Sequence, residues 1–280
     1  MSRSLGVGLQ HVLPQRLLCA FIYRVARCRQ RWFKSLLIRW FAKQYRVQME
    51  EAQPPDLDDY VSFNEFFTRA LKPGARPVDA NPNSLVSPVD GRLTQFGALH
   101  DDRLIQAKGM DYSLHALLGE HGPATAQLLN GEFATIYLAP HNYHRVHAPL
   151  AGRWVRTRYI PGDRFSVNQR TAAAIRGLFC RNERLVCWFE TAHGPLALVL
   201  VGALNVSSMS TVTRGEISSG PARDWDEDAT FDKGAEIGRF NLGSTVVFVM
   251  PKQVIKWNAD IAPDRTVAMG EPLARLLGGR

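Results

Sequence analysis

Apolar residues recur along this chain with two periods, one of strands and one of helices. Runs at 133–138, 154–159, 185–190, 196–204 and 246–249 concentrate Val, Ile, Leu, Phe, Trp and Tyr between breaks of Pro, Gly, Asn or Asp. That pattern predicts short buried strands joined by turns, and the two runs flanking residues 191–195 predict a hairpin. Before residue 50 the period changes. Phe33, Leu36, Leu37, Trp40 and Phe41 fall at helical spacing, with Arg31, Arg39, Lys43 and Arg46 turned largely the other way. Residues 16–27, which follow Pro14 and carry Leu17, Leu18, Phe21, Ile22 and Val25, predict a second amphipathic helix, and residues 60–70 a third. The Gln-Pro-Pro-Asp sequence at 53–56 breaks the helical pattern and divides the chain into segments 1–52 and 53–280. The acidic stretch 224–232 reads as a loop. The expected fold class is α+β, an antiparallel β-sandwich-like core with amphipathic helices at the N-terminus.

With 280 residues, 45% of them hydrophobic, the chain can bury a sizeable core. Cys19, Cys28, Cys180 and Cys187 show no CxxC spacing and are too few for a disulfide scaffold, which points to a reducing compartment. No run reaches the roughly 18 to 20 apolar residues that a membrane-spanning helix needs. Charge is placed unevenly: the first fifty residues carry +9 and the remainder −1. A near-neutral body with one basic end argues against a nucleic-acid reading surface and for an interaction segment. Aromatic and aliphatic side chains beside Arg and Lys suit a helix lying in a membrane interface, one face buried and the other meeting anionic headgroups. Packing on the protein's own core and an Arg-rich presequence are the competing readings.

Candidate chemistry gathers in two places. Gly243 and Ser244 open the strand-like run 246–249, so a tight turn feeds a rigid strand. Given a base, the Ser244 hydroxyl would attack the Gly243 carbonyl carbon, and the chain would cut itself. An ordinary turn satisfies the same letters. His141, His144 and His147 lie within seven residues just after the run 133–138. Every-third spacing on a strand puts successive histidines on opposite faces, and no Cys or paired carboxylate clusters nearby, which speaks against a metal site. Asp90, read with its neighbours alone, is an Asp-Gly turn.

The residues 242–245, Leu-Gly-Ser-Thr, resemble the LGST processing site of the bacterial phosphatidylserine decarboxylases, and residues 233–240 are similar to the segment before that site. The resemblance continues in the family's order through 66–73, 87–91, 108–109, 112–114, 141–147 and 161–168, and so covers roughly residues 60–250. Arg164 departs from the pattern, which has Leu there. The resemblance implies a serine-protease-like triad in which Asp90 orients His147 and His147 takes the Ser244 proton. It implies cleavage between Gly243 and Ser244 into a beta chain, 1–243, and an alpha chain, 244–280, with Ser244 converted to a pyruvoyl cofactor. That group would replace pyridoxal phosphate or a metal, and His144 would donate the proton after decarboxylation. The implied partner is phosphatidylserine in an anionic membrane, met from the cytoplasmic side by a peripheral enzyme that forms a homodimer and binds no nucleic acid. The alternative is a Ser/His/Asp hydrolase acting in trans, against which the absence of a GxSxG elbow speaks.

Overall fold

The computed structural model describes residues 15–203 and 208–278. Helix α1 spans Gln15–Ala26 and helix α2 spans Arg31–Tyr45, where the helical spacing predicts them. Pro14, named above as preceding one helix, and Leu204, the end of one strand run, lie outside the described residues. The apolar surface of α2 is divided between two faces, where a single one was expected. Ile38 and Phe41 turn inward, and the Phe41 ring lies 5.0, 6.1 and 5.9 Å from those of Phe63, Phe66 and Phe67. Trp32, Leu36 and Trp40 remain 72%, 64% and 56% exposed. Neighbouring helical residues point about 100° apart, so an apolar stripe this wide covers two surfaces. Lys34 fixes the inner face, its Nζ donating to the carbonyls of Asp58 and Tyr60 at 2.7 and 2.6 Å.

Helix α3 is Phe63–Phe67, shorter than the 60–70 that the pattern predicts. Ser62 caps it by accepting from the Glu65 N–H, and the Glu65 carboxylate accepts from the Val61 N–H, a reciprocal arrangement that stops fraying at the start. The far end is cut short because Ala70–Leu71 pairs as a strand with Ala52–Gln53. The boundary read at 52/53 therefore falls inside a two-residue strand that ties the helical segment to the body.

Every named strand pair in the described residues is antiparallel. The main sheet runs in the order Arg223–Phe231, Gly152–Ile160, Arg184–Thr191, Gly194–Val201, Ser244–Met250, Glu132–Leu138, Gly91–Ala98, Arg265–Val267. The hairpin expected around 191–195 is present, with Thr191 opposite Gly194. A second sheet orders Gly215–Ile217, Ser208–Thr211, Glu236–Asn241 and Arg145–His147. The acidic stretch 224–232 is not a loop: Arg223–Phe231 is an edge strand of the main sheet. Its carboxylates find cations on the adjacent strand, Asp224 with Arg158 at 2.7 Å and Asp228 with Arg153 at 2.9 Å, and opposite charges across a ladder stabilise pairing. Arg164, the departure from the family pattern, pairs with the buried Glu183 at 2.6 Å.

Strand Ser244–Met250 lies inside the main sheet, hydrogen-bonded to Gly194–Val201 on one side and Glu132–Leu138 on the other. Val246, Val247, Phe248, Val249 and Met250 are fully buried. Each such side chain contributes about 1.5–3 kcal/mol by leaving water, so this strand needs no covalent link to residue 243 to stay in place. Phe248→Ala should lower the unfolding free energy by about 3–5 kcal/mol, read as a shifted denaturant midpoint at unchanged slope. A loss under 1 kcal/mol would contradict the central placement of the strand.

Candidate active site

The strand Glu236–Asn241 runs into Leu242, whose φ is +91°, and Gly243, whose φ is +42°, before Ser244 begins the next strand. A branched residue at positive φ costs roughly 1–3 kcal/mol and persists only where surrounding contacts over-determine it. The Leu242 side chain is buried in the cluster that holds Phe41, Phe63, Phe66 and Phe67, while Ser244 is held by register opposite Leu138. Ser244 is 1% exposed, and its Oγ has no hydrogen-bond partner. A buried hydroxyl left unbonded is costly, and it stands two residues after the strained Leu242.

His144 enters the same cluster. Its ring centroid lies 4.0 Å from that of Phe67, and its carbonyl accepts from the Phe240 N–H at 3.0 Å, which ties it to the strand leading into the junction. Nδ1 is 2.8 Å from the Asn142 carbonyl, so Nδ1 carries the hydrogen and Nε2 carries the lone pair. Nε2 is buried without a partner. Burial pushes the His144 pKa down to about 3, with the Asn142 hydrogen bond opposing in part. The ring is therefore neutral at pH 7, where the sequence reading has an imidazole poised for acid–base work near neutral pH.

His147 is also buried, and burial lowers its pKa. Its Nδ1–H donates to the Gly234 carbonyl at 2.8 Å, and its Nε2 accepts from the Tyr143 hydroxyl at 3.0 Å. Gly234 is required there: its φ is +84°, and a Cβ would meet Val78 Cγ2 at 2.5 Å. Asp90 makes no hydrogen bond to His147. Its carboxylate is gripped by Arg76, through Nε at 2.9 and 3.0 Å and Nη2 at 2.7 Å, and by the Met269 N–H at 2.8 Å. A guanidinium fork matches a carboxylate far better than a neutral imidazole does. Asp90 reaches His147 less directly. The Pro88 carbonyl, two residues before Asp90, accepts the His147 backbone N–H at 2.8 Å, and the Asp90 charge raises the ring's pKa slightly against the dominant effect of burial. Gly91, read from sequence as half of a turn, instead opens a strand, and a Cβ there would lie 2.5 Å from the Tyr137 carbonyl oxygen.

His141 is exposed, unlike the two buried rings, and no group of three or more His, Cys, Asp or Glu gathers as a metal site among the described residues. The sequence reading missed Arg76, Gly234 and the role of Tyr143. Tyr143 lies inside the quoted motif 141–147, but nothing in its spacing signals that it caps His147, and Arg76 gives no local sign of its partner. The arrangement suits reaction of the chain with itself, since a serine this buried offers nothing to a substrate in solution.

The comparisons with known proteins agree. The phosphatidylserine decarboxylase family matches residues 63–275, and a second profile, described only as PSD, matches residues 5–46. Similar proteins named phosphatidylserine decarboxylase proenzyme come from Ectopseudomonas mendocina, 47% identical over 282 residues, and Pseudomonas fluorescens, 48% identical over 283, each alignment covering 98% of both chains. One from Methylibium petroleiphilum is 47% identical over 280 residues with the same coverage. The chain belongs to the phosphatidylserine decarboxylase family.

A buried His held neutral stabilises the fold fully above its unfolded pKa of roughly 6.5, and that contribution is lost as pH falls from there toward the folded value of about 3. His144→Gln removes the titration. Acidification from pH 7 to 4 should therefore lower the wild-type Tm more than that of the variant, as read by scanning calorimetry. Parallel Tm profiles would contradict a neutral, buried His144.

Proposed function

We propose that this chain converts phosphatidylserine to phosphatidylethanolamine and carbon dioxide with a pyruvoyl group made from its own Ser244, by breaking the Gly243–Ser244 bond. The observation that carries the reading, beside family membership, is the unbonded, buried Ser244 Oγ behind the positive φ of Leu242. Residues 1–243 and 244–280 are then the two chains of one precursor. The residues present fit such a group, because the serine begins a fully buried strand and its hydroxyl is dry and unbonded. When formed, the group supplies a ketone for the substrate amine and an adjacent carbonyl as an electron sink.

In maturation His147 takes the Ser244 proton at Nε2, after the Tyr143 hydroxyl releases that atom. Gly234 holds the tautomer, and Asp90 favours the resulting cation through its charge and through the Pro88 carbonyl. In turnover His144 Nε2, neutral and without a partner, takes a proton from the substrate ammonium and returns it to the carbon that has lost carbon dioxide. One observation favours a second reading, in which His144 is the base for Ser244: its Nε2 is bare, whereas that of His147 is occupied. Ser244→Ala should remain uncut. On the first reading His147→Ala also remains uncut, while His144→Ala splits but loses about 10²- to 10⁴-fold in carbon dioxide release. A gel and a carbon dioxide assay on each sample decide between them, since an uncut His144→Ala supports the second reading.

The lipid substrate is met at a surface. Among the described residues no helix is long and apolar enough to cross a membrane. Trp32, Leu36 and Trp40 form an exposed row on α2, and Leu17 and Phe21 another on α1, beside the cations of a segment carrying +9. An interfacial helix buries such a row and sets its cations against anionic headgroups. Replacing Trp32 and Trp40 together with Ala should weaken binding to phosphatidylserine-containing vesicles at least tenfold, and salt should weaken binding of the wild type by screening. Equal sedimentation of the two proteins with vesicles would reject this anchor.

A further inference from the structure

A cavity of about 570 Å³ borders the histidine segment, with His141 and Tyr143 in its wall and the exposed Tyr45, Arg46 and Gln48, at the end of α2, lining it too. Its acids are already committed. Asp90 and Glu51 are paired with Arg76, and Glu271 with Arg265 at 2.5 Å and with the Ala268 N–H at 3.0 Å. Two cations in the lining are unanswered. Arg46 makes no ion pair, and Arg69 is 4% exposed with neither Nε nor Nη1 hydrogen-bonded. Arg69 Nη2 donates to the His141 carbonyl at 3.1 Å, and the guanidinium carbon lies 5.6 Å from the Phe66 ring centroid. An arginine cannot shed its proton, so a guanidinium this buried, with two nitrogens unfilled and no direct ion pair, is placed to accept one more anion.

We propose that Arg69, supported by Arg46 at the rim, binds the phosphodiester of the phospholipid headgroup in this cavity. The proposal rests on the decarboxylase reading for the identity of the lipid. A phosphodiester is a monoanion with two free oxygens, matched to a planar guanidinium. The serine carboxylate is the poorer occupant, because a cation on it would stabilise the charge that must leave as the bond breaks, favouring ground state over transition state. Position argues the same way. The cavity is lined by the end of α2, whose outer row faces solvent, so a headgroup drawn from a membrane surface meets Arg46 first. Burial lowers the Arg69 pKa, with the charges of Asp90 and Glu51 opposing in part.

The test uses the full-length protein as purified and follows the ³¹P line of sn-glycero-3-phosphoglycerol, a phosphodiester without amine or carboxylate. Wild type should broaden the line, Arg69→Gln should weaken that binding about 10- to 100-fold, and Arg69→Lys should fall between. N-acetylserine, a carboxylate without phosphate, should not compete. With soluble dihexanoyl phosphatidylserine the loss in Arg69→Gln should appear chiefly in KM. Failure of wild type to broaden the line overturns the site without any variant, as does unchanged broadening by Arg69→Gln. Competition by N-acetylserine would assign the site to the carboxylate. Broadening of the inorganic phosphate line alone would make it a free-phosphate site. A wild type that binds the phosphodiester but releases no carbon dioxide would defeat the decarboxylase reading and leave the anion site standing.

Discussion

Leu242 is held from two sides at once, and that constraint organises the molecule. Its side chain belongs to the buried cluster that holds Phe41, Phe63, Phe66 and Phe67, while two residues later Ser244 is held in register opposite Leu138. The short stretch between these anchors takes positive φ at a branched residue, so strain collects next to the Gly243–Ser244 bond. The helices share in this. Phe41 belongs to α2 and Phe66 and Phe67 to α3 or its end, so the segment that carries the exposed aromatic row also packs against the junction. Breaking the bond after Gly243 would relax the turn and leave the sheet intact, since the ladder and apolar contacts of Ser244–Met250 are made to other strands.

Protonation in the site is governed by burial. His144 and His147 are both kept neutral by desolvation, and in both a backbone carbonyl at Nδ1 leaves the lone pair on Nε2. The difference between them is what faces Nε2. His147 meets the Tyr143 hydroxyl, and His144 meets nothing, which is a physical basis for two rings in one segment to have separate tasks. The acids around them are tied to arginines, Asp90 to Arg76 and Glu236 to Arg145, so neither is free to orient a ring directly. The same commitment of acids leaves Arg69 as a buried cation with no ion pair among the described residues.

Much of the architecture was legible in the order of residues. Strand positions, the hairpin at 191–194, the two long helices and the turn before Ser244 follow from periodicity and from local turn chemistry, both of which act over a few residues. The family resemblance pointed to Ser244, His144, His147 and Asp90 before any geometry. Misreadings arose where a residue's partner lies far along the chain. Residues 224–232 looked like a loop because their acids were seen without Arg153 and Arg158 on the next strand. Leu36 and Trp40 were assigned to the same face as Phe41, because helical spacing says which residues are near each other but not which face the body covers. Asp90 bonds Arg76 and acts on His147 only through its charge, a partnership that nothing local announces. Backbone period and turn conformation are short-range and so are written in neighbouring letters. Which carboxylate meets which cation, which imidazole is dry, and which apolar row is left outside are settled by distances between segments that only folding brings together.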